Sequence, residues 1–151
     1  MSLATRFYES FQLRNPKGMA ECYHEQIVFE DPAFGVLKGK EAAAMWAMLC
    51  NQAKDLKITF QILEETSSGS KVKWIADYTF SKTGRKVHNI IEATMVYQAG
   101  KIIQHTDHFD LKKWAKQAMG WKGVLLGGTD FFKRKLQAQT RKLLERYISR
   151  N

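Results

Sequence analysis

The chain has 151 residues, with 24 Lys+Arg against 15 Asp+Glu, four His, two Cys and two Pro. Its 44% hydrophobic and 12% aromatic content supports one folded unit with a real core and excludes disorder. No apolar run approaches the roughly 20 residues a helical bilayer span needs, and the amphipathic N-terminus does not read as a signal peptide. Cys22 and Cys50 lack CxxC or metal-ligand spacing, which fits reduced thiols and a cytoplasmic location.

Taken in order, Ser2 caps a first helix whose Leu3, Phe7 and Phe11 recur at helical spacing. Asn15-Pro16 reads as N-cap and first residue of a short second helix that buries Met19, Cys22 and Tyr23. Ile27 to Asp31 reads as a short strand stopped by Pro32, followed by a loop holding Gly35 and Gly39. A third helix carries Ala42, Met45, Trp46, Leu49 and Ala53 on one stripe. The period then changes to two, giving strands near 56–65, 72–81, 87–97 and 102–109, separated by Ser67-Ser68-Gly69, Thr83-Gly84 and Ala99-Gly100. Helices followed by a strand meander are an α+β order.

Alternation along these strands assigns their faces. A type I turn with Gly100 left-handed pairs Tyr97 with Lys101. Asn89, Ile91, Ala93 and Met95 then share a face with Ile103, His105, Asp107 and Phe109. A two- or four-residue loop at Thr83-Gly84 adds Trp74, Ala76, Tyr78 and Phe80, and Asp31 has the parity of Ile27 and Phe29. His88, Glu92, Thr94, Gln104, Thr106 and His108 fall on the other, outward face. The inward face is thus apolar with a few convergent polar groups, the usual description of a small-molecule site. Asp31, Asp107 and His105 are its candidate acid/base residues, and Tyr78, Asn89, Trp46, Trp74 and Phe7 its candidate ligand contacts. No metal site is expected, because His105 and His108 point to opposite faces.

The last forty residues differ in character. Residues 1–110 hold 13 basic and 13 acidic side chains, whereas 111–151 hold 11 basic against Asp130 and Glu145 and so carry the whole net charge of +9. Asp110 caps a helix with Leu111, Trp114, Ala115, Ala118 and Met119 on one stripe, closed by Gly120. Trp121 to Leu126 reads as an apolar loop, and Thr129 or Asp130 starts a last helix with Phe132, Leu136, Leu143 and Tyr147 inward. Gly127-Gly128 lacks the frame of a phosphate loop. This basic segment reads as a docked helix, as a lid in which Trp114 and the 121–126 loop close the cavity, or as a surface for an anionic membrane or nucleic acid.

The Phe29-Glu30-Asp31-Pro32-Ala33-Phe34-Gly35 stretch, the Gly39-Lys40-Glu41-Ala42 helix start and Gly100-Lys101-Ile102 leading to His105-Thr106-Asp107-His108-Phe109 resemble the NTF2-like superfamily, in its SnoaL-like and ketosteroid-isomerase-like branch. The resemblance implies a cone-shaped α+β (cystatin-like) fold over residues 1–110, with N-terminal helices packed on a strongly bent antiparallel sheet; residues 111–151, outside the resemblance, read as a basic helical extension docked on the same domain. The resemblance also implies a ligand cavity, no cofactor, and a homodimer through the outer sheet face. Glu30-Asp31-Pro32-Ala33-Phe34-Gly35 is similar to the isomerase stretch whose Asp is the general base, and Asp107 is similar to the late-strand acid/base Asp of polyketide cyclases. The isomerase oxyanion hole is made by a Tyr and a protonated Asp. Its Tyr position falls on Phe7 and its acid position near Ala93 or Glu92, so the resemblance implies isomerase-, cyclase- or hydratase-type chemistry other than steroid isomerisation. A non-catalytic binding or assembly module of the same fold is the alternative, and binding of a membrane or nucleic acid through the tail is another.

Overall fold

In the computed structural model, which describes residues 1–52 and 54–151, Ser2 opens α1 (Leu3–Gln12) by accepting from the Thr5 N–H at 3.1 Å. Asn15 caps α2 (Pro16–Cys22) through the Gly18 N–H at 3.0 Å. Both caps satisfy backbone donors that a helix start leaves without partners. α3 runs over Lys40–Gln52; Ala53, expected on its stripe, lies outside the described residues. The strands are β1 (Tyr23–Asp31), β2 (Gly35–Lys38), β3 (Lys57–Glu65), β4 (Gly69–Phe80), β5 (Arg85–Gln98) and β6 (Lys101–His108). They form one curled sheet in the order β2-β1-β6-β5-β4-β3, antiparallel except for β1 against β6. This is the α+β cone implied by the resemblance.

Three boundaries differ from expectation. Tyr23 ends no helix but begins β1, because its ring packs inward under α3 rather than along α2. The Gly35–Lys38 segment is a strand that folds back on β1, with Asp31 opposite Gly35. The β5–β6 connection is a two-residue turn with both Ala99 and Gly100 at positive φ, pairing Gln98 with Lys101. Two positive-φ residues match the twist of the flanking strands better than the type I turn does. A bulge then follows between Val96 and Tyr97, so Met95 faces His105 and Ala93 faces Asp107. The inward face survives, with one exchange: Ile102 is fully buried and Ile103 only partly so.

The helices cover the concave face. Phe7, Tyr8, Phe11, Met19, Met45 and Trp46 pack against Phe29, Ile91, Ala93 and Met95 in one buried cluster. On the convex face His88, Glu92, Thr94, Gln104 and His108 are exposed and Thr106 is partly buried. The four-residue loop between Phe80 and Arg85 sets Trp74, Ala76 and Tyr78 opposite Ile91, Asn89 and Val87.

The C-terminal segment forms α4 (Leu111–Met119), α5 (Trp121–Leu126) and α6 (Asp130–Arg150), with Asp110 and Thr129 as caps of α4 and α6. The 121–126 stretch is therefore a short helix, not a loop. Among the described residues no helix is long and apolar enough to cross a membrane.

Candidate functional site

A cavity of about 320 Å³ opens between the sheet, α3, α4 and α6. Its walls are largely apolar, among them Phe11, Met45, Trp46, Trp74, Ile91 and Trp114. Four polar side chains from the inward face reach it: Asp31, Tyr78, Asn89 and Asp107.

Asp31 sits at the end of β1, where the chain turns into β2. Its Oδ1 accepts from the Ala33 N–H at 2.9 Å and the Phe34 N–H at 2.6 Å, an Asx-type turn built by the Asp-Pro-Ala-Phe order. Burial raises its carboxyl from an ordinary 3.8 to about 7. The two N–H donors pull the other way, and the nearby Asp107 charge adds to the rise. Desolvation wins because the turn sits against apolar walls, leaving a carboxyl that exchanges a proton near neutrality.

Asp107 is buried on β6 and tied down differently. Its Oδ1 accepts from His105 Nε2 at 2.9 Å and from Trp74 Nε1 at 3.3 Å. Behind it, His105 Nδ1 lies 2.8 Å from the Tyr23 hydroxyl, which accepts from Trp46 Nε1 at 2.7 Å. An indole N–H only donates, so the Tyr23 O–H is free to donate to His105 Nδ1, and the imidazole proton then sits on Nε2, towards Asp107. The donors thus run one way, Trp46 to Tyr23 to His105 to Asp107. Burial pushes the Tyr23 phenol well above its usual 10, with the Trp46 bond opposing, so it stays neutral and able to donate.

Tyr78 accepts from Trp114 Nε1 at 2.7 Å, which leaves its own O–H proton for the cavity. Asn89 is nearly buried on β5 and borders the cavity, which puts its amide N–H donors within reach of a ligand oxygen.

Six of the eight residues singled out in the sequence border the cavity: Asp31, Asp107, Tyr78, Asn89, Trp46 and Trp74. Two do not. His105 is fully buried one layer behind Asp107 and acts on the cavity only through it. Phe7, expected to touch ligand, is fully buried, with its ring 5.3 Å from Tyr23 and 5.4 Å from His105. The α1 stripe turns it into the core behind the relay.

The lid expectation is corrected in its parts. Trp114 does wall the cavity, but Trp121 is 69% exposed and Leu125 68%, so the 121–126 segment closes nothing. α6 covers that side instead, presenting Leu136, Gln139, Thr140 and Leu143. Gln137 Nε2 donates to the Pro32 carbonyl at 3.1 Å and Thr140 Oγ1 to the Ala33 carbonyl at 2.8 Å. The last helix therefore holds the turn that carries Asp31. Thr140 and Gln137 carry no signal of this in sequence. Tyr23 carries none in its parity either, because the register shifts between Tyr23 and Val28 and leaves Glu25, of the same parity, exposed.

Comparison with known proteins agrees with this architecture. The model of the SnoaL-like domain matches residues 4–105. A candidate polyketide cyclase from Silicibacter sp. is similar in structure at 16% identity and TM-score 0.67, over 77% of this chain and 92% of that one. A protein with a ketosteroid isomerase-like fold from Catenulispora acidiphila is similar at 12% identity and TM-score 0.66, over 77% and 91%. An LEH-like epoxide hydrolase of M. tuberculosis is similar at 15% identity and TM-score 0.59, over 83% and 88%. No curated protein matches the sequence. With the matched model spanning α1 to α3, β1 to β5 and most of β6, and ending before α4, the chain belongs to the SnoaL-like domain family of the NTF2-like fold.

Proposed function

We propose that the protein binds a hydrophobic, oxygen-bearing small molecule in this cavity and moves a proton on it, in isomerase-, cyclase- or hydratase-type chemistry. The observation that carries the reading is two carboxylates, Asp31 and Asp107, bordering one apolar cavity of about 320 Å³, with Asp31 near pKa 7. A carboxyl at that value takes and returns a proton at neutral pH with little penalty in either direction. Asp107, steadied by His105 and Trp74, supplies the second carboxylate. Tyr78 and Asn89 donate to the ligand oxygen where negative charge develops. The proton transfer balances between protein and ligand. The cavity lies at the small end of the roughly 300–1,000 Å³ typical of small-molecule sites, which favours a bicyclic or short-chain ligand. The candidate polyketide cyclase and the LEH-like epoxide hydrolase support the small-molecule reading as analogy.

The test is deuterium exchange from D2O into the carbon α to the carbonyl of 2-tetralone, followed by NMR, with Trp46, Trp74 and Trp114 fluorescence reporting binding. The protein should accelerate exchange, Asp31→Asn should abolish the acceleration, and quenching should persist in the variant. Binding without any exchange selects the non-catalytic reading, which the missing hydroxyl at Phe7 favours. Absence of quenching by a panel of bicyclic ketones and phenols defeats both readings. A dimer through the outer sheet face is part of the same proposal, supported by Ile90 at 49% and Val96 at 41% exposure there. A cytoplasmic setting is supported by the free, buried Cys22 and Cys50.

A further inference from the structure

α5 is amphipathic in reverse. Its glycine and the one that ends it, not its large residues, face the protein: Gly123 and the C-cap Gly127 are buried against α4. A Cβ on Gly123 would lie 2.0 Å from the Ala115 carbonyl oxygen, and one on Gly127 2.7 Å from the Ala115 Cβ. Helical spacing then fixes the outward side: Trp121 and Leu125 stand opposite the two glycines, with Val124 on the flank. Trp121, Val124 and Leu125 are 69%, 47% and 68% exposed; Leu126 at the end of α5 is 49% exposed and Phe131 at the start of α6 63%. An apolar, aromatic cluster held outwards by close backbone packing marks an interaction surface.

Charge identifies what it meets. Between 112 and 135 stand Lys112, Lys113, Lys116, Lys122, Lys133, Arg134 and Lys135, all exposed, against Asp130 alone. Lys122 Nζ lies 5.9 Å from the Trp121 ring. A Trp and Leu face fringed by lysines is complementary to a bilayer with anionic headgroups, where the rings enter the interface and the ammonium groups meet phosphate and carboxylate. The whole of α6 does not form that surface, since Leu144 is buried and Tyr147 accepts from Asn51 Nδ2 at 2.6 Å. The elements on either side of α5 are α4 and α6, whose Trp114 and Leu136 wall the cavity.

We propose that the α5 corner, through Trp121, Val124, Leu125 and Phe131 with their lysine fringe, docks the protein on anionic lipid bilayers. The proposal stands independently of the chemistry in the cavity.

The test is co-sedimentation of the full chain with vesicles of phosphatidylcholine alone or with about 30% phosphatidylserine, at physiological and at high salt. The protein should pellet with the anionic vesicles, lose most of that binding on raising salt, and ignore phosphatidylcholine alone. The Trp121→Ala/Leu125→Ala pair should weaken binding by about tenfold or more; its far-UV circular dichroism and melting point should match the parent, because both side chains are exposed. Lys122→Glu/Lys133→Glu should weaken it comparably. Failure to pellet with anionic vesicles overturns the proposal. So does anionic binding that Trp121→Ala/Leu125→Ala leaves intact, which would be the diffuse charge of the tail. Self-association abolished by the same pair without vesicle binding assigns the face to a second copy and also overturns it.

Discussion

His105 donates from Nε2 to Asp107 Oδ1 at 2.9 Å while its Nδ1 faces the Tyr23 hydroxyl at 2.8 Å, with both His105 and Asp107 essentially without solvent contact. One imidazole thus joins the deepest cavity carboxylate to a phenol on another strand. Because β1 and β6 run parallel, with Phe29 beside His105, the bond also staples the strand that carries Asp31 to the strand that carries Asp107.

Tyr23→Phe removes the middle of this chain without changing the ring that stacks on Phe7. Trp46 Nε1 and His105 Nδ1 lose their partner inside the core, a cost of about 1–3 kcal/mol. Urea denaturation should show that loss. Exchange into 2-tetralone should slow while fluorescence quenching is retained, since Tyr23 does not border the cavity.

Asp31→Asn keeps the acceptor for Ala33 and Phe34 N–H but removes the titration. With the folded carboxyl raised from 3.8 to about 7, the folded state holds a proton that the unfolded state releases between those values. Stability therefore falls as pH rises through that window and levels off above it, by an amount on the order of a few kcal/mol. Asp31→Asn should match the parent near pH 4 and melt at a higher temperature at pH 8. If Asp31 is the base, parent exchange activity should also rise with pH towards a plateau above about 7.

Gly123→Ala should force α5 off α4, because its methyl group meets the Ala115 carbonyl 2.0 Å away. Overpacking against backbone costs about 1–3 kcal/mol, visible as a lower melting temperature. Leu125→Ala, on the opposite side of the same helix, should leave the melting temperature within a degree or two.

Tyr78→Phe leaves the Trp114 indole without its acceptor and the cavity without an O–H donor. Stability should drop by about 1 kcal/mol, and affinity for a phenol or ketone that accepts from Tyr78 by a further factor of about five to ten. Calorimetric titration against 2-naphthol checks the second part.

Thr140→Val tests the hold of α6 on the Asp31 turn. Losing the bond to the Ala33 carbonyl should cost about 1 kcal/mol. Amide hydrogen exchange should then quicken at Ala33 and Phe34.

The inward set Asp31, Tyr78, Asn89 and Asp107 was legible because a strand has period two: once one residue faces the core, its neighbours two away must follow. A bulge at Val96/Tyr97 changed individual pairs but not that parity from Met95 onward. Helix starts were legible at Ser2, Asn15 and Asp110 because a cap bonds within its own turn. β2 escaped notice because four residues bounded by glycines carry too short an alternation to read.

Sequence alone thus determined the α+β class, from the order of the elements, and the caps and the side of the sheet on which each acid lies, from spacing within one element. Tertiary structure alone decided that Tyr23 stands behind His105, that Phe7 is core rather than ligand contact, that α6 rather than the 121–126 segment covers the cavity, and that burial lifts Asp31. Those outcomes depend on which surfaces meet across distant parts of the chain and on how much water their meeting removes. Neither is encoded in the repeat of any single strand or helix.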